Sequence, residues 1–149
     1  MSQSKVVACA VVALALGVGC KSPPSAAQES EKGAVAAVAL SELSVPAVAA
    51  ALKDKTAVVV DANNPETREK FGVVPGAVLL SDHRSYALTE LPSDKAQPLV
   101  FYCGGTQCRA SDAAANRAAA AGYAKVSVMR DGIKGWVAAG QATTSAPKS

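Results

Sequence analysis

One stretch of the sequence decides the fold: QPLVFYCGGTQCRASDAAANRAAAAGY, residues 97–123. Its aliphatic run predicts a strand that ends at Cys103, and its alanine-rich second half predicts a helix that ends at Gly122. A strand that leads through a glycine-containing loop into a helix directs backbone N–H groups inward, where they favour a bound anion. Cys103 lies where that anion would bind, so it is a candidate nucleophile.

The same alternation of short aliphatic runs and helical segments continues on both sides of this stretch. Upstream, TAVVVDANN and PGAVLL predict strands, while residues 43–54 and PETREKFG predict helices. Downstream, AKVSVM predicts a strand and DGIKGWVAAG a closing helix that ends at Gly140. Unbroken Val and Leu runs separated by helices indicate a parallel sheet covered on both faces. The predicted class is α/β with a mostly parallel central sheet.

Composition and charge narrow the range of functions. The 149 residues include 15 Lys and Arg against 12 Asp and Glu, a net charge of +3 without a basic block, so no nucleic acid partner is expected. The length suits one ordinary domain, which we expect to be a monomer. The single histidine, His83, has no second imidazole nearby in sequence. No metal and no cofactor are therefore expected.

The N-terminal segment predicts export. Lys5 precedes an apolar run that is short for a membrane span and is followed by small residues, so residues 1–19 are predicted to be a signal peptide. The ending LGVGC resembles a bacterial lipoprotein box, which would place a lipid on Cys20. Residues 20–40 then form a flexible tether, residues 41–144 the folded domain and residues 145–149 a disordered tail. The expected location is a bacterial membrane, through the lipid anchor and on the periplasmic side, with a soluble secreted or periplasmic protein as the alternative.

Residues 41–144 resemble a rhodanese-like domain. Four stretches carry the resemblance, in this order: VVVDANNPETREKFGVVPGAVLL, LPSDKAQPLVFYC, the cysteine loop with its helix, and VSVMRDGIKGWVAAG. The resemblance implies an α/β/α fold and a sulfurtransferase. Its cysteine, Cys103 here, takes sulfane sulfur from thiosulfate or a persulfide donor and passes it to a thiophilic acceptor such as a thiol.

The spacing of the loop leaves two other functions open. The family usually places an arginine five positions after the cysteine, whereas Arg109 is six positions after Cys103. That longer spacing also describes the phosphate loop of cysteine-dependent phosphatases and related arsenate reductases. A subset of rhodanese-like domains instead has a second cysteine and then Ala-Ser, as this chain does, and there Arg109 would fill a variable position. The second of the two other functions is a rhodanese-like module that binds a partner without catalysis.

The candidate site is residues 103–109, called the Cys103 loop below. A thiol is a poor nucleophile, and the loop N–H groups together with the positive end of the following helix would stabilise the Cys103 thiolate and its persulfide. Cys108 either resolves the persulfide into a disulfide or merely occupies the loop, and a Cys103–Cys108 disulfide is either structural or a resting or regulatory state. The small sulfur-containing or oxyanion substrate is expected to contact Gly104, Gly105, Thr106, Gln107 and Arg109. Supporting roles are assigned to Asp61, which orients the loop or caps a turn, and to Ser111.

Overall fold

The computed structural model describes residues 40–146. In chain order its elements are β1 Ser41–Glu42, α1 Val45–Lys53, β2 Val58–Asp61, α2 Pro65–Phe71, β3 Val78–Leu79, β4 Leu99–Tyr102, α3 Ala110–Ala120, β5 Val126–Met129 and α4 Gly132–Ala138. A short 3-10 helix, Leu88–Glu90, lies between β3 and β4. Each strand and helix predicted from the sequence is present, and β1 and the 3-10 helix are additions.

Some predictions fall outside this part of the chain. The signal peptide, the lipid on Cys20, the tether up to residue 39 and residues 147–149 of the tail lie outside the described residues, so they stay predictions. None of the helices between residues 40 and 146 has the length and apolar character that crossing a bilayer requires.

The sheet is parallel throughout the described part of the chain. Its strand order is β1-β5-β4-β2-β3, and every neighbouring pair runs in the same direction. The central strand β4 is buried at all four positions, because helices cover both of its faces. The chain places β3 on one side of β2 and then crosses to place β4 on the other. The carboxyl ends of β2 and β4 therefore meet where the strand order reverses, which is where open α/β sheets bind ligands.

Alternate residues of β4 face different layers. Leu99, Phe101 and, directly after the strand, Cys103 belong to a core cluster that includes alanines of α3. Val100 and Tyr102 belong to the opposite cluster, which includes residues of α1 and α4, among them Ile133 and Trp136. The expected α/β/α layering is thus confirmed, with α3 on one face and α1 and α4 on the other. The period of two along a strand puts Cys103 on the face that α3 covers.

The edge strand β1 was missed because its sequence carries no strand signal. Ser41 and Glu42 are both exposed and polar, and they pair with Ser127 and Val128 of β5. The Oγ atoms of Ser41 and Ser127 also lie 2.7 Å apart, within hydrogen-bond distance. Pairing with an existing strand, rather than an apolar pattern, forms this element.

Candidate active site

The Cys103 loop closes on itself. The Cys108 N–H donates to the Gly105 carbonyl oxygen over 2.8 Å, which turns the chain back toward the end of β4. The Cα atoms of Cys103 and Cys108 lie 6.3 Å apart and their sulfurs form a disulfide. Cys103 is buried, with 2% of its surface exposed, whereas Cys108 is half-buried. The two cysteines predicted to share a site are therefore bonded, and Cys108 is the more accessible of them.

The start of α4 holds the loop through backbone hydrogen bonds. The Ile133 N–H donates to the Cys103 carbonyl oxygen over 2.8 Å, and the Lys134 N–H donates to the Gly104 carbonyl oxygen over 3.3 Å. Gly132 permits this close approach, since its φ is +60° and a Cβ there would collide with the Cys103 carbonyl oxygen. Only glycine combines that backbone angle with an open contact surface.

The loop keeps its N–H groups available. Its carbonyl oxygens at residues 103, 104 and 105 accept hydrogen bonds, but within residues 40–146 the N–H groups of residues 104–107 have no protein acceptor. Helix α3 begins at Ala110. As in any helix, its first N–H groups have no acceptor within the helix, and they carry partial positive charge. This arrangement fits an anion better than a cation, as the sequence pattern predicted for Gly104, Gly105, Thr106 and Gln107.

Ser111 lies within hydrogen-bond distance of Cys103. It lies in the first turn of α3, only 2% exposed, and its Oγ is 3.3 Å from the Cys103 Sγ. A hydroxyl at this distance can donate to a thiolate or to a persulfide anion. The structure therefore brings these two predicted site residues together.

Arg109 is mostly exposed and pairs with a carboxylate. Its side chain is 71% exposed, and its Nη1 lies 3.3 Å from Oδ2 of Asp112. Asp112 also pairs with Arg130 over 2.8 Å, and Arg130 pairs with Glu42 over 3.0 Å. Arg109 therefore belongs to a network of four charged side chains. In this structure the guanidinium pairs with Asp112 and is not one of the groups that would bind an anion at the loop.

Asp61 holds the ends of the strands and does not touch the cysteine. Its fully buried carboxylate accepts from the Tyr102 hydroxyl over 2.5 Å, the Asn63 N–H over 2.6 Å and Arg68 Nε over 3.3 Å. Arg68 also donates to the carbonyl oxygen of Leu80 over 2.9 Å. A buried carboxylate needs such partners because desolvation would otherwise disfavour its charge. The contacts match the structural role considered for Asp61.

Asn63 is a site residue that the sequence analysis missed. The Ala62 N–H donates to the Tyr102 carbonyl oxygen over 2.9 Å, so pairing continues beyond β2 and places Asn63 beside Gly104. Its Oδ1 is 3.9 Å from the position that a Cβ would take on Gly104. Asn63 is only 8% exposed and its Nδ2 has no hydrogen-bond partner within the described residues. The sequence signal that could have pointed to Asn63 is an amide side chain two positions after Asp61, which ends a strand. That Asn63 lies beside Gly104 is seen only from the register between β2 and β4.

The Cys103 loop does not line the open cavity beside α2. A cavity of about 970 Å³ lies between α2 and residues 143–146, with Arg68, Phe71 and Thr143 in its wall. It contains neither cysteine of the loop. The candidate site is therefore identified by its chemistry and backbone geometry rather than by its volume.

A model of the rhodanese-like domain matches residues 44–139. No curated protein sequence matches the chain.

Solved structures share the fold. A thiosulfate sulfurtransferase from Pseudomonas aeruginosa matches with a TM-score of 0.59 and 23% identity, over 73% of this chain and 21% of that one. A protein from Rhodopseudomonas palustris described as a possible tyrosine phosphatase matches with a TM-score of 0.58 and 22% identity, over 70% of this chain and 85% of that one. A human single-domain sulfurtransferase matches with a TM-score of 0.53 and 17% identity, over 65% of this chain and 95% of that one. At these identities the likeness shows the shared fold alone.

Proposed function

The chain belongs to the rhodanese-like domain family, and we propose from this premise that it is a sulfurtransferase with Cys103 as its persulfide carrier. The observation that carries the proposal is the position of Cys103. It is a buried cysteine at the carboxyl end of the central strand, followed by a loop whose N–H groups at residues 104–107 lack acceptors within residues 40–146. An arrangement of this kind stabilises sulfur anions.

Sulfur transfer by the reduced site takes two steps. With thiosulfate as donor, the Cys103 thiolate attacks the outer sulfur, the bond between the two sulfurs of thiosulfate breaks, and sulfite leaves with the electron pair. An acceptor thiolate or cyanide then attacks the terminal sulfur of the persulfide, and Cys103 leaves as a thiolate. Negative charge stays close to the loop in both steps. The loop N–H groups, the start of α3 and the Ser111 hydroxyl hold that charge.

Asn63 completes the anion-binding surface in this proposal. Its buried Nδ2 has no hydrogen-bond partner among residues 40–146, and a buried donor without an acceptor costs free energy that a bound anion would recover. We assign it to the terminal sulfur of the persulfide or to an oxygen of the donor. Because Asn63 is neutral, it adds a hydrogen bond without adding charge.

The phosphatase or arsenate reductase alternative depends on Arg109. A phosphate loop uses such an arginine to bind two oxygens of the oxyanion, but here the guanidinium pairs with Asp112 and is mostly exposed. The binding-module alternative needs no nucleophile, and so gives no reason for the close contact between Ser111 and Cys103. Both observations favour the sulfurtransferase.

The test is an assay of the reduced full-length protein with thiosulfate and cyanide. We expect thiocyanate to form, and Cys103→Ser to lose this activity. Ser93→Ala, at an exposed position between the 3-10 helix and β4, is the control and should keep it. Full activity in Cys103→Ser would overturn the assignment. Hydrolysis of an aryl phosphate that needs both Cys103 and Arg109, without sulfur transfer, would select the phosphatase, and a folded but inactive protein would select the binding module.

A further inference from the structure

We propose that Cys108 gives this site a second reaction, the release of hydrosulfide from the Cys103 persulfide. The inference rests on the proposed function, because it begins with the persulfide. A simple sulfurtransferase hands its sulfur to an external acceptor. Here a second thiol lies on the same loop, bonded in this structure to the sulfur that would carry the persulfide.

The loop geometry allows the attack without rearrangement of the fold. The Cα atoms of Cys103 and Cys108 are 6.3 Å apart, within the usual range for a disulfide. The hydrogen bond from the Cys108 N–H to the Gly105 carbonyl oxygen fixes the turn that brings them together. The contacts of α4 with the carbonyl oxygens of Cys103 and Gly104 hold the other end of the loop. The nucleophile is therefore preorganised next to its target.

The reaction balances without an external oxidant. The Cys108 thiolate attacks the Cys103 Sγ, the bond between this Sγ and the terminal sulfur breaks, and the terminal sulfur leaves as hydrosulfide after taking a proton. Two cysteines are oxidised to one disulfide, and the sulfane sulfur is reduced to sulfide. Together with persulfide formation, thiosulfate and two thiols yield sulfite, hydrosulfide and a disulfide.

Three structural features favour this reaction. Cys108 lies two residues before the first residue of α3, where the positive end of a helix stabilises a thiolate. The loop N–H groups that would bind the terminal sulfur of the persulfide can stabilise it as it leaves with negative charge. Cys103 is buried, so an external thiol must enter the loop, whereas Cys108 is already inside it.

The cycle then closes with a reduction by a thiol or dithiol. Cys108 is the more exposed half of the disulfide, so the external thiolate attacks the Cys108 sulfur and Cys103 leaves as a thiolate. A second thiol resolves the mixed disulfide and returns Cys108. The reductant thus restores the nucleophile in its buried position.

The test follows both products in a single turnover. Full-length protein is reduced, freed of reductant under anaerobic conditions and mixed with thiosulfate, and sulfite, hydrosulfide and protein mass are measured. We expect wild type to release both products in equal amounts and to lose its two loop thiols. Cys108→Ser should release sulfite only and keep a mass increase of one sulfur atom. Cys108→Ala should behave in the same way, and circular dichroism checks that both variants are folded.

The outcomes separate the two proposals. Wild-type protein that keeps the persulfide and releases no hydrosulfide would overturn this inference and leave the proposed function standing. The same follows if Cys108→Ser and Cys108→Ala release hydrosulfide as fast as wild type. If none of the proteins releases sulfite or gains sulfur, the proposed function itself fails, and the hydrosulfide reaction fails with it.

Discussion

The Tyr102 hydroxyl lies 2.5 Å from Oδ2 of Asp61, and both side chains are fully buried. This hydrogen bond joins β4 to β2 at the residue before Cys103, on the face of the sheet opposite to it. Burial first, and the Asp61 carboxylate second, raise the pKa of Tyr102 well above its usual value, so its hydroxyl remains a donor. The bond fixes the two strand ends that carry Cys103 and Asn63.

Removal of this hydroxyl should destabilise the fold. In Tyr102→Phe, Asp61 loses a donor, and the Val74 N–H loses the hydroxyl oxygen that it contacts at 3.1 Å. We expect the free energy of unfolding to fall by about 2–3 kcal/mol. The measurement is urea unfolding, with Tyr123→Phe as control, whose hydroxyl donates only to the Pro92 carbonyl oxygen and should cost about 1 kcal/mol. Equal effects of the two substitutions would contradict the role of Asp61.

The contact between α4 and the loop should be essential for activity. In Gly132→Ala the new Cβ collides with the Cys103 carbonyl oxygen, so the loop must move, and thiocyanate formation should fall by roughly tenfold or more. Gly140→Ala is the matched control, because Gly140 also has a positive φ, +72°, but nothing lies within 4 Å of a Cβ there. It should cost only about 1 kcal/mol of stability from backbone strain. A Gly132→Ala enzyme with wild-type kinetics would refute the prediction.

Asn63→Ala should weaken the binding of the sulfur donor, thiosulfate. Loss of one neutral hydrogen bond to an anion corresponds to about 1.4 kcal/mol, a tenfold fall in kcat/KM for thiosulfate. Asn63→Asp should fall further, since a carboxylate repels the donor. The control is Asn116→Ala, which removes another amide with an unpartnered atom but lies in the second turn of α3, away from the loop. The prediction is wrong if both alanine variants have the same kcat/KM.

Glu90 should make stability depend on pH. Partial burial acts to raise the pKa of Glu90, but bonds from the backbone and hydroxyl of Ser81 and the backbone of Ala87 outweigh it and lower that pKa. A carboxylate with a lowered folded pKa stabilises the protein above its unfolded pKa and loses this effect as pH falls through the folded pKa. Glu90→Gln should therefore cost about 1 kcal/mol at pH 7 and progressively less below about pH 4. A cost that stays constant with pH would contradict this, and the exposed Glu69 gives the Glu→Gln control.

The sequence predicted what depends on neighbouring residues and missed what depends on distant ones. Aliphatic runs, Gly122 and Gly140 placed the main strands and helices because their signals lie within each segment. Helix starts show that a local signal does not fix every contact. Asn64 caps α2 by accepting from the Thr67 N–H over 3.0 Å, whereas Ser44, at the N-cap position of α1, makes no capping hydrogen bond with its side chain.

The same distinction applies to the site. Cys103, Cys108 and Ser111 are close in sequence, and their shared site was predicted. Asn63 meets Gly104 only through the register of two strands about forty residues apart, which no local pattern contains. The pairing of Asp112 with Arg130, 18 positions along the chain, likewise depends on the fold and not on a local pattern.

The direction of β1 has a consequence for how the domain can be attached to other structures. β1 runs parallel to β5 and β4, and Ser41 is level with Ser127 and Val100, three positions before Cys103 along the strand direction. Three strand residues span roughly 10 Å, so the chain enters β1 on the amino side of Cys103, at an edge strand that is two strands away from β4. A partner fused directly before residue 40 would therefore join the domain at this edge strand and not at β4, the strand that carries the Cys103 loop.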